Sequence, residues 1–445
     1  MTIIELFAGV GGFRIGLEGD KRNRKYYSPL GDYQSELQHA QFFKTGYANQ
    51  FEPSKKKQIA ADIYEEYFKD GVMDNTDISD VSANKILQSI ENLHLGNREI
   101  ILVGGFPCQD YSVANGLHTS KGLLGKKGVL WWEIYRLLKE LKKLNRQPAI
   151  LLLENVDRLI VSPAKQRGRD FAIMLYTLNS LGYTVEYKII NAAEFDLPQK
   201  RKRVFILAYL NKTPLNHKKR YHNNIHETFK PETSDKLESL DLSLYKNKGL
   251  QSSLQQLEEN FRFKTSPFGN AGICRNFKAY PFKEKTSISA SCRTLGSVVS
   301  NGTVPSEFYV SNQDLEKWRF HKGSKKILRY KPNGDMYYFA EGKMHLYDSL
   351  DKPSRTIITS EGGKSASRTK HLIKTSKGAR RLIPQELEKL NMFPENITNH
   401  QGVLNSERAF LMGNALVVGV VEMFRDLIID KYQSENDNQL IQKRK

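Results

Sequence analysis

The stretch Glu99-Ile100-Ile101-Leu102-Val103-Gly104-Gly105-Phe106-Pro107-Cys108-Gln109 constrains this chain more than any other. Four consecutive apolar residues, three of them β-branched, predict a fully buried parallel strand. A Gly-Gly pair ends the run, and a proline directly precedes a cysteine. Ligands in open α/β sheets bind at the carboxyl ends of the strands. Cys108 therefore stands where chemistry is usually done, although a free cysteine near a turn is as readily a small buried hydrophobe. On these residues alone the two readings balance.

A second apolar run, Ala149 to Leu153, ends in Glu154-Asn155-Val156. Two parallel strands of one sheet would bring Cys108 and Glu154 to the same edge. Burying an unpaired carboxylate is costly, so an isolated Glu154 would be expected to pair with an arginine. Beside a strand-end cysteine it becomes a candidate acid of raised pKa.

The motif Gly104 to Gln109 followed by Glu154-Asn155-Val156 resembles the DNA cytosine-5 methyltransferases. The likeness continues in family order. Phe7-Ala8-Gly9-Val10-Gly11-Gly12-Phe13 resembles the opening cofactor motif, and Gln199 to Phe205 the Gln-x-Arg-x-Arg motif. Arg355-Thr356 resembles the ninth motif and Gly413-Asn414-Ala415 the tenth. Only about Leu215 to Leu350 has no counterpart, where the family varies most.

Composition agrees with a polyanionic partner. The 445 residues suffice for two domains, and the net charge is +19. Basic residues cluster, as at Lys55-Lys56-Lys57, Lys126-Lys127, His217 to Arg220 and Lys325-Lys326. The run Lys200 to Arg203 could serve as a localisation signal, but it leads into a strand, Val204 to Leu210, which favours a site role. Three cysteines (Cys108, Cys274, Cys292) make no disulfide framework or CxxC metal pattern, so a reducing compartment and no metal are expected. No apolar run reaches the length of a membrane span, and Thr2 to Phe7 already reads as a strand, leaving no room for a signal peptide. A cytoplasmic protein is expected.

The expected fold is α/β: a Rossmann-like, doubly wound, mostly parallel sheet with a second, smaller, irregular or β-rich domain. Helices are predicted around Ala60 to Phe68, on Trp131, Ile134, Tyr135, Leu138 and Leu141, and on Phe171 to Leu181, stopped by Gly182. Tyr183 to Ile190 reads as a further strand, and Gly19 to Lys44 as an insertion. From Leu215 the chain turns Lys-, Asn- and Ser-rich, with β-like pieces at Glu307 to Val310 and Asp335 to Phe339. Residues 1–214 and 395–445 are assigned to the catalytic domain and 215–394 to target recognition. A final helix with Leu416, Val417, Val420, Val421, Phe424, Leu427 and Ile428 on one face should pack back onto the first domain, and Ser434 to Lys445 should fray.

The resemblance implies sequence-specific methylation of cytosine C5 in double-stranded DNA, as the modification half of a restriction system with a cognate endonuclease, by an enzyme acting as a monomer. It implies Cys108 as nucleophile at C6, Glu154 as proton donor to N3, and Arg203 with Arg201 on the O2 side. A flipped base is required, and Asp110 to Gly128, rich in glycine and lysine, reads as a loop able to close over it. S-adenosylmethionine is the implied donor. Its site would comprise Phe7, Ala8, Gly9, Val10, Gly11, Gly12, Gln50, Phe51, Asp77, Ile78, Gly104, Pro107, Leu130, Asn414 and Ala415. The glycine spacing is not GxGxxG, which disfavours NAD or FAD. Gln50 stands where the family has an acidic residue for the ribose, with Glu52 just beyond, and Lys127 stands where the family often has Arg. DNA contacts are expected from Gln109, Ser112, Gln199, Arg275, Asn276, Arg293, Thr294 and Arg355. A tRNA methylase of the same fold, a silent DNA-binding paralogue and a dinucleotide oxidoreductase are the competing readings. The long basic segment opposes the first, the intact Cys108, Glu154 and Arg203 the second, and the glycine spacing the third.

Overall fold

Alternation of short apolar runs with amphipathic segments builds a mixed sheet whose core is parallel. The computed structural model describes residues 1–19, 42–106, 129–216 and 223–443. The parallel strands are β1 (Thr2–Leu6), β2 (Lys44–Asn49), β3 (Met73–Asp74), β4 (Ile100–Gly105) and β5 (Ile150–Val156), in spatial order β3-β2-β1-β4-β5. Beyond β5 lie β7 (Lys202–Leu210) and then β6 (Tyr183–Asn191), with β7 antiparallel to both neighbours. The sheet continues through β8 (Ala271–Arg275) and β9 (Lys278–Lys285), with short strands Leu240–Asp241 and Thr233–Lys236 on β9. It comprises eleven strands among the described residues.

Helices cover both faces of the sheet, as alternate side chains require. Leu102, Leu151, Leu153 and Ile206 share one core with α3 (Ala83–Asn92), α4 (Val129–Lys143) and α5 (Arg169–Ser180). On the opposite face lie α1 (Gly12–Glu18), α2 (Ile59–Phe68) and the long α6 (Val418–Lys443). Phe205 meets Phe424 of α6 at 5.3 Å between ring centroids. A side chain at Gly16 would come within 2.6 Å of Val421, so glycine lets α1 and α6 approach closely. The final helix thus packs on the first segment of the chain, as its apolar face predicted, and it runs to Lys443.

Two compact units result. The larger comprises Met1–Phe195, Lys202–Ile288 and Val418–Lys445; the smaller comprises Asp196–Arg201 and Ser289–Val417. The sequence boundary near residue 215 therefore does not coincide with a structural one. Residues 223–288, grouped by composition with the second domain, extend the main sheet, because β8 pairs with β6 from Ala271↔Lys188 to Cys274↔Val185. The smaller unit holds small sheets and buried ion pairs, including Arg380 with Glu386 at 2.7 Å. Of the β-like pieces expected there, Met336–Glu341 is a strand, whereas Ser306–Phe308 is a 3-10 turn. The insertion near 20–41 lies outside the described residues.

Glu5, at the centre of β1, is wholly buried and accepts from the Tyr64 hydroxyl at 3.0 Å and the Arg14 backbone N–H at 3.3 Å. Burial pushes its carboxyl up to about 7, above the ordinary 4.5. The folded state then holds a proton that the unfolded chain has released, so Glu5's contribution is complete at low pH and lost as pH rises through this interval. Glu5→Gln should flatten the decline of the urea midpoint between these two pH values. A decline as steep as that of the unsubstituted protein would remove Glu5 as its source.

Candidate active site

The carboxyl end of β5 carries the site's charged centre. Parallel register sets Gly105 of β4 directly beside Glu154 of β5. A side chain at Gly105 would meet Glu154 Oε2 at 3.4 Å, and one at Gly104 would stand 2.8 Å from the carbonyl oxygen of Leu6. Glycine at both positions therefore leaves room for the acid and for close packing of β4 on β1. The antiparallel strand β7 sets Val156 opposite Arg203, and Arg203 Nε meets Glu154 Oε1 at 2.8 Å. Both side chains are mostly buried, at 18% and 12% exposed. The arginine partner expected for an isolated Glu154 is therefore present, and it is the arginine also expected at the reaction centre.

Asn155 contributes a link that the sequence reading gave no role. Its side-chain amide donates to the carbonyl of Phe106 at 3.2 Å, and its own oxygen accepts from the Val156 N–H. Phe106 is the last described residue before Pro107 and Cys108. Cys108, Pro107, Gln109, Ser112 and the Asp110 to Gly128 loop lie outside the described residues. The other two cysteines are buried and free. Burial pushes the Cys274 thiol well up and Cys292 up to about 11, so both are poor thiolates at neutral pH.

The loop after β1 forms the second part of the site. Phe7, Gly9 and Gly11 all have positive φ, at 55°, 55° and 85°. A side chain at Gly9 would enter open space, whereas one at Gly11 would strike Phe68. The Ala8 N–H donates to Asn49 O at 3.0 Å, and the Gly9 N–H donates to Gln50 Oε1 at 2.8 Å. Gln50 thus fixes the loop. Glu52 follows, its backbone held by Gln58. Val10 is buried and Gly12 opens α1. Phe51 is half-buried, Asp77 caps its turn by accepting from Ser79, and Ile78 is buried with its carbonyl held by Arg136. Leu130 is half-buried in the first turn of α4.

Several other expected site residues do different work. Arg201 is 2% exposed and donates to the carbonyls of Ile357 at 3.2 Å and Gly413 at 3.0 Å. Its guanidinium frames the smaller unit through these two carbonyls. Gln199 is fully buried, donating to Leu390 O and Asn391 Oδ1 and accepting from the Ile357 N–H. Arg355 grips Asp348 at 2.6 and 3.2 Å and the carbonyls of Thr369 and Lys370. Both side chains tie segments of the smaller unit together. Arg275 ends β8 beside Tyr209, and Asn276 with Phe277, φ 50° and 63°, forms the tight turn into β9. Both belong to the larger unit's sheet, not to a separate recognition segment. Arg293 and Thr294 lie half-buried in the smaller unit before a 3-10 turn. There Asn414 ends its helix exposed, with Ala415 as the cap.

Residues 1–430 match the C-5 cytosine-specific DNA methylase family. The chain is similar to the Type II methyltransferase M.Sau3AI of Staphylococcus aureus, at 38% identity over 99% of this chain and 98% of that one. M.NgoBI of Neisseria gonorrhoeae, also a Type II methyltransferase, is 33% identical over 47% of this chain and 51% of its own. Among solved structures, the Dnmt2 methyltransferase of S. pombe superposes with a TM-score of 0.56 at 15% identity, covering 97% of this chain and 98% of that one. The Entamoeba histolytica methyltransferase EhMeth gives 0.55 at 14%, with the same coverages. These two likenesses show the fold. No helix among the described residues is long and apolar enough to cross a membrane.

Arg201→Ala should remove two charge-assisted bonds to buried carbonyls and lower stability by about 3 kcal/mol, measured by urea unfolding. Lysine should not restore it, because one ammonium lacks the guanidinium's fork. Wild-type stability in Arg201→Ala would remove this framework role.

Proposed function

Because the chain belongs to the C-5 cytosine-specific DNA methylases, we propose that it methylates cytosine at C5 within a defined sequence of duplex DNA, with Cys108 as nucleophile and Glu154 as its acid. The observation that carries this reading is the Glu154–Arg203 pair at the carboxyl end of β5, in register with the glycines that lead into Cys108. Cytosine C5 is a weak nucleophile within an aromatic ring. A thiolate at Cys108 adds to C6, forming the S–C6 bond and moving the C5–C6 electron pair toward C5. Glu154 protonates N3, so the ring does not carry full negative charge. Arg203 fixes the carboxyl's orientation and supplies positive charge beside the base. After C5 is methylated, N3 returns its proton to Glu154, and loss of the C5 proton with rupture of the S–C6 bond restores the double bond and the thiolate. Asn155, through the Phe106 carbonyl, holds the start of the segment that carries the sulfur.

The residues after β1 fit S-adenosylmethionine, which supplies the methyl group when bound. Open space at Gly9 and the positive φ of Phe7, Gly9 and Gly11 leave room for a ligand against this loop. Phe7, Phe51, Asp77 and Ile78 would flank the adenine. With Gln50 committed to Gly9, Glu52 is the acidic group left for the ribose hydroxyls. Such an enzyme flips its target base and, as a Type II methylase, serves as the modification partner of a restriction endonuclease.

Incubation with tritiated S-adenosylmethionine should label duplex DNA at cytosine C5 and leave tRNA unlabelled; label in tRNA alone, or in neither, would falsify the reading. Cys108→Ser should abolish transfer while cofactor binding stays within a few-fold of the unsubstituted protein. Glu154→Gln should slow it by about 100-fold or more, and an unchanged rate would exclude proton donation. Glu52→Ala should raise the cofactor dissociation constant about tenfold, the loss of roughly 1.4 kcal/mol, by calorimetry. An unchanged constant would reassign the ribose contact.

A further inference from the structure

One element of the smaller unit has no part in the chemistry above. Strands β10 (Lys325–Tyr330) and β11 (Met336–Glu341) form an isolated antiparallel ribbon with register from Lys325↔Glu341 to Tyr330↔Met336. Two-stranded ribbons are marginal in water and ordinarily bury a face. This one exposes both. Leu328, Tyr330, Met336 and Tyr338 share one face and are 41%, 68%, 66% and 61% exposed. Such a concentration of apolar surface on one two-stranded ribbon marks a binding element.

The ribbon is built to hold its form. Arg368 clamps its root, donating to the carbonyls of Gly323 and Gly342. At the tip, the Lys331 N–H donates to Asp335 O at 2.8 Å, and Gly334 takes φ 88° to close the turn. Cations lie across its rings: Arg329 is 3.7 Å from the Phe339 centroid, and Lys326 Nζ is 4.5 Å from that of Tyr338. Between 325 and 341 the chain carries four cations against two carboxylates.

We propose that this ribbon enters the major groove of duplex DNA and sets the sequence preference of methylation, a proposal resting on the DNA-methylase reading above. Positive charge on an aromatic scaffold complements a polyanion better than it complements a second copy of a chain whose net charge is +19. The major groove, about 12 Å wide, admits a two-stranded ribbon. Six residues per strand extend about 20 Å, roughly six base steps. The face bearing Leu328, Tyr330, Met336 and Tyr338 meets base edges and thymine methyls, while Arg329 and Lys331 contact phosphates.

The test uses the full chain, tritiated S-adenosylmethionine and an unmethylated, PCR-amplified duplex of several kilobases, with methylated positions mapped by bisulfite sequencing. Tyr330→Ser/Tyr338→Ser should raise KM for DNA at least tenfold and spread methylation to sites one base different, with cofactor affinity and melting temperature unchanged. Arg329→Ala should weaken DNA binding evenly across sequences and reduce the salt slope by about one. Unchanged KM, site set and salt slope in both variants would overturn the assignment while leaving the methylase reading intact. Variants that only shift a dimer to monomer in sedimentation would also overturn it, in favour of self-association. A parent protein that labels no duplex DNA would overturn both readings.

Discussion

A carboxylate at the end of a buried strand is tolerable only where something balances its charge, and here the balance comes from a reversed neighbour. Strand β7 runs antiparallel between β5 and β6, so its first residues, not its last, arrive at the sheet's carboxyl edge. Arg203 is thereby delivered to Glu154 at 2.8 Å. A seventh parallel strand would have put its amino end at the opposite rim, leaving the acid unmatched. The reversal is thus the topological condition for holding a mostly buried acid at the carboxyl edge of the sheet.

Close backbone approaches complete the arrangement. Gly104 lets β4 lie against Leu6 of β1, and Gly105 leaves Glu154 its space. Gln50 fixes Gly9 through a single amide oxygen, so the loop's unusual dihedral angles are supported from the neighbouring strand. In the smaller unit the same logic is executed with charge: Arg201, Arg355 and Arg380 each satisfy carbonyls or carboxylates at the junctions of short, irregular segments. A unit with small apolar clusters such as Val304, Phe308 and Ile383 gains definition from such directional bonds.

This division explains what the sequence could disclose. Apolar runs gave β1, β4, β5, β6 and β7 to within three residues at either end, because periodicity and burial are local properties. Glu154 and Arg203 were legible because their motifs mark a strand end and a strand start. The fates of Gln199, Arg201 and Arg355 were not, since the first two meet partners some 156 to 212 residues away and nothing local distinguishes a framework arginine from a reading one. Residues 223–288 were assigned to the wrong body because composition changes before topology does. The turn at Asn276-Phe277 uses positive φ without glycine, which removes the usual signal for a hairpin.

The exposed ribbon also has two outer edges whose N–H and C=O groups lack strand partners in its two-stranded sheet. Free edges of this kind invite stacking of one molecule on another. Lysine and arginine along β10 oppose that stacking by mutual repulsion, so dispersal of the protein in solution depends on ionic strength. Counter-ions screen those charges and so weaken the repulsion that guards the edges.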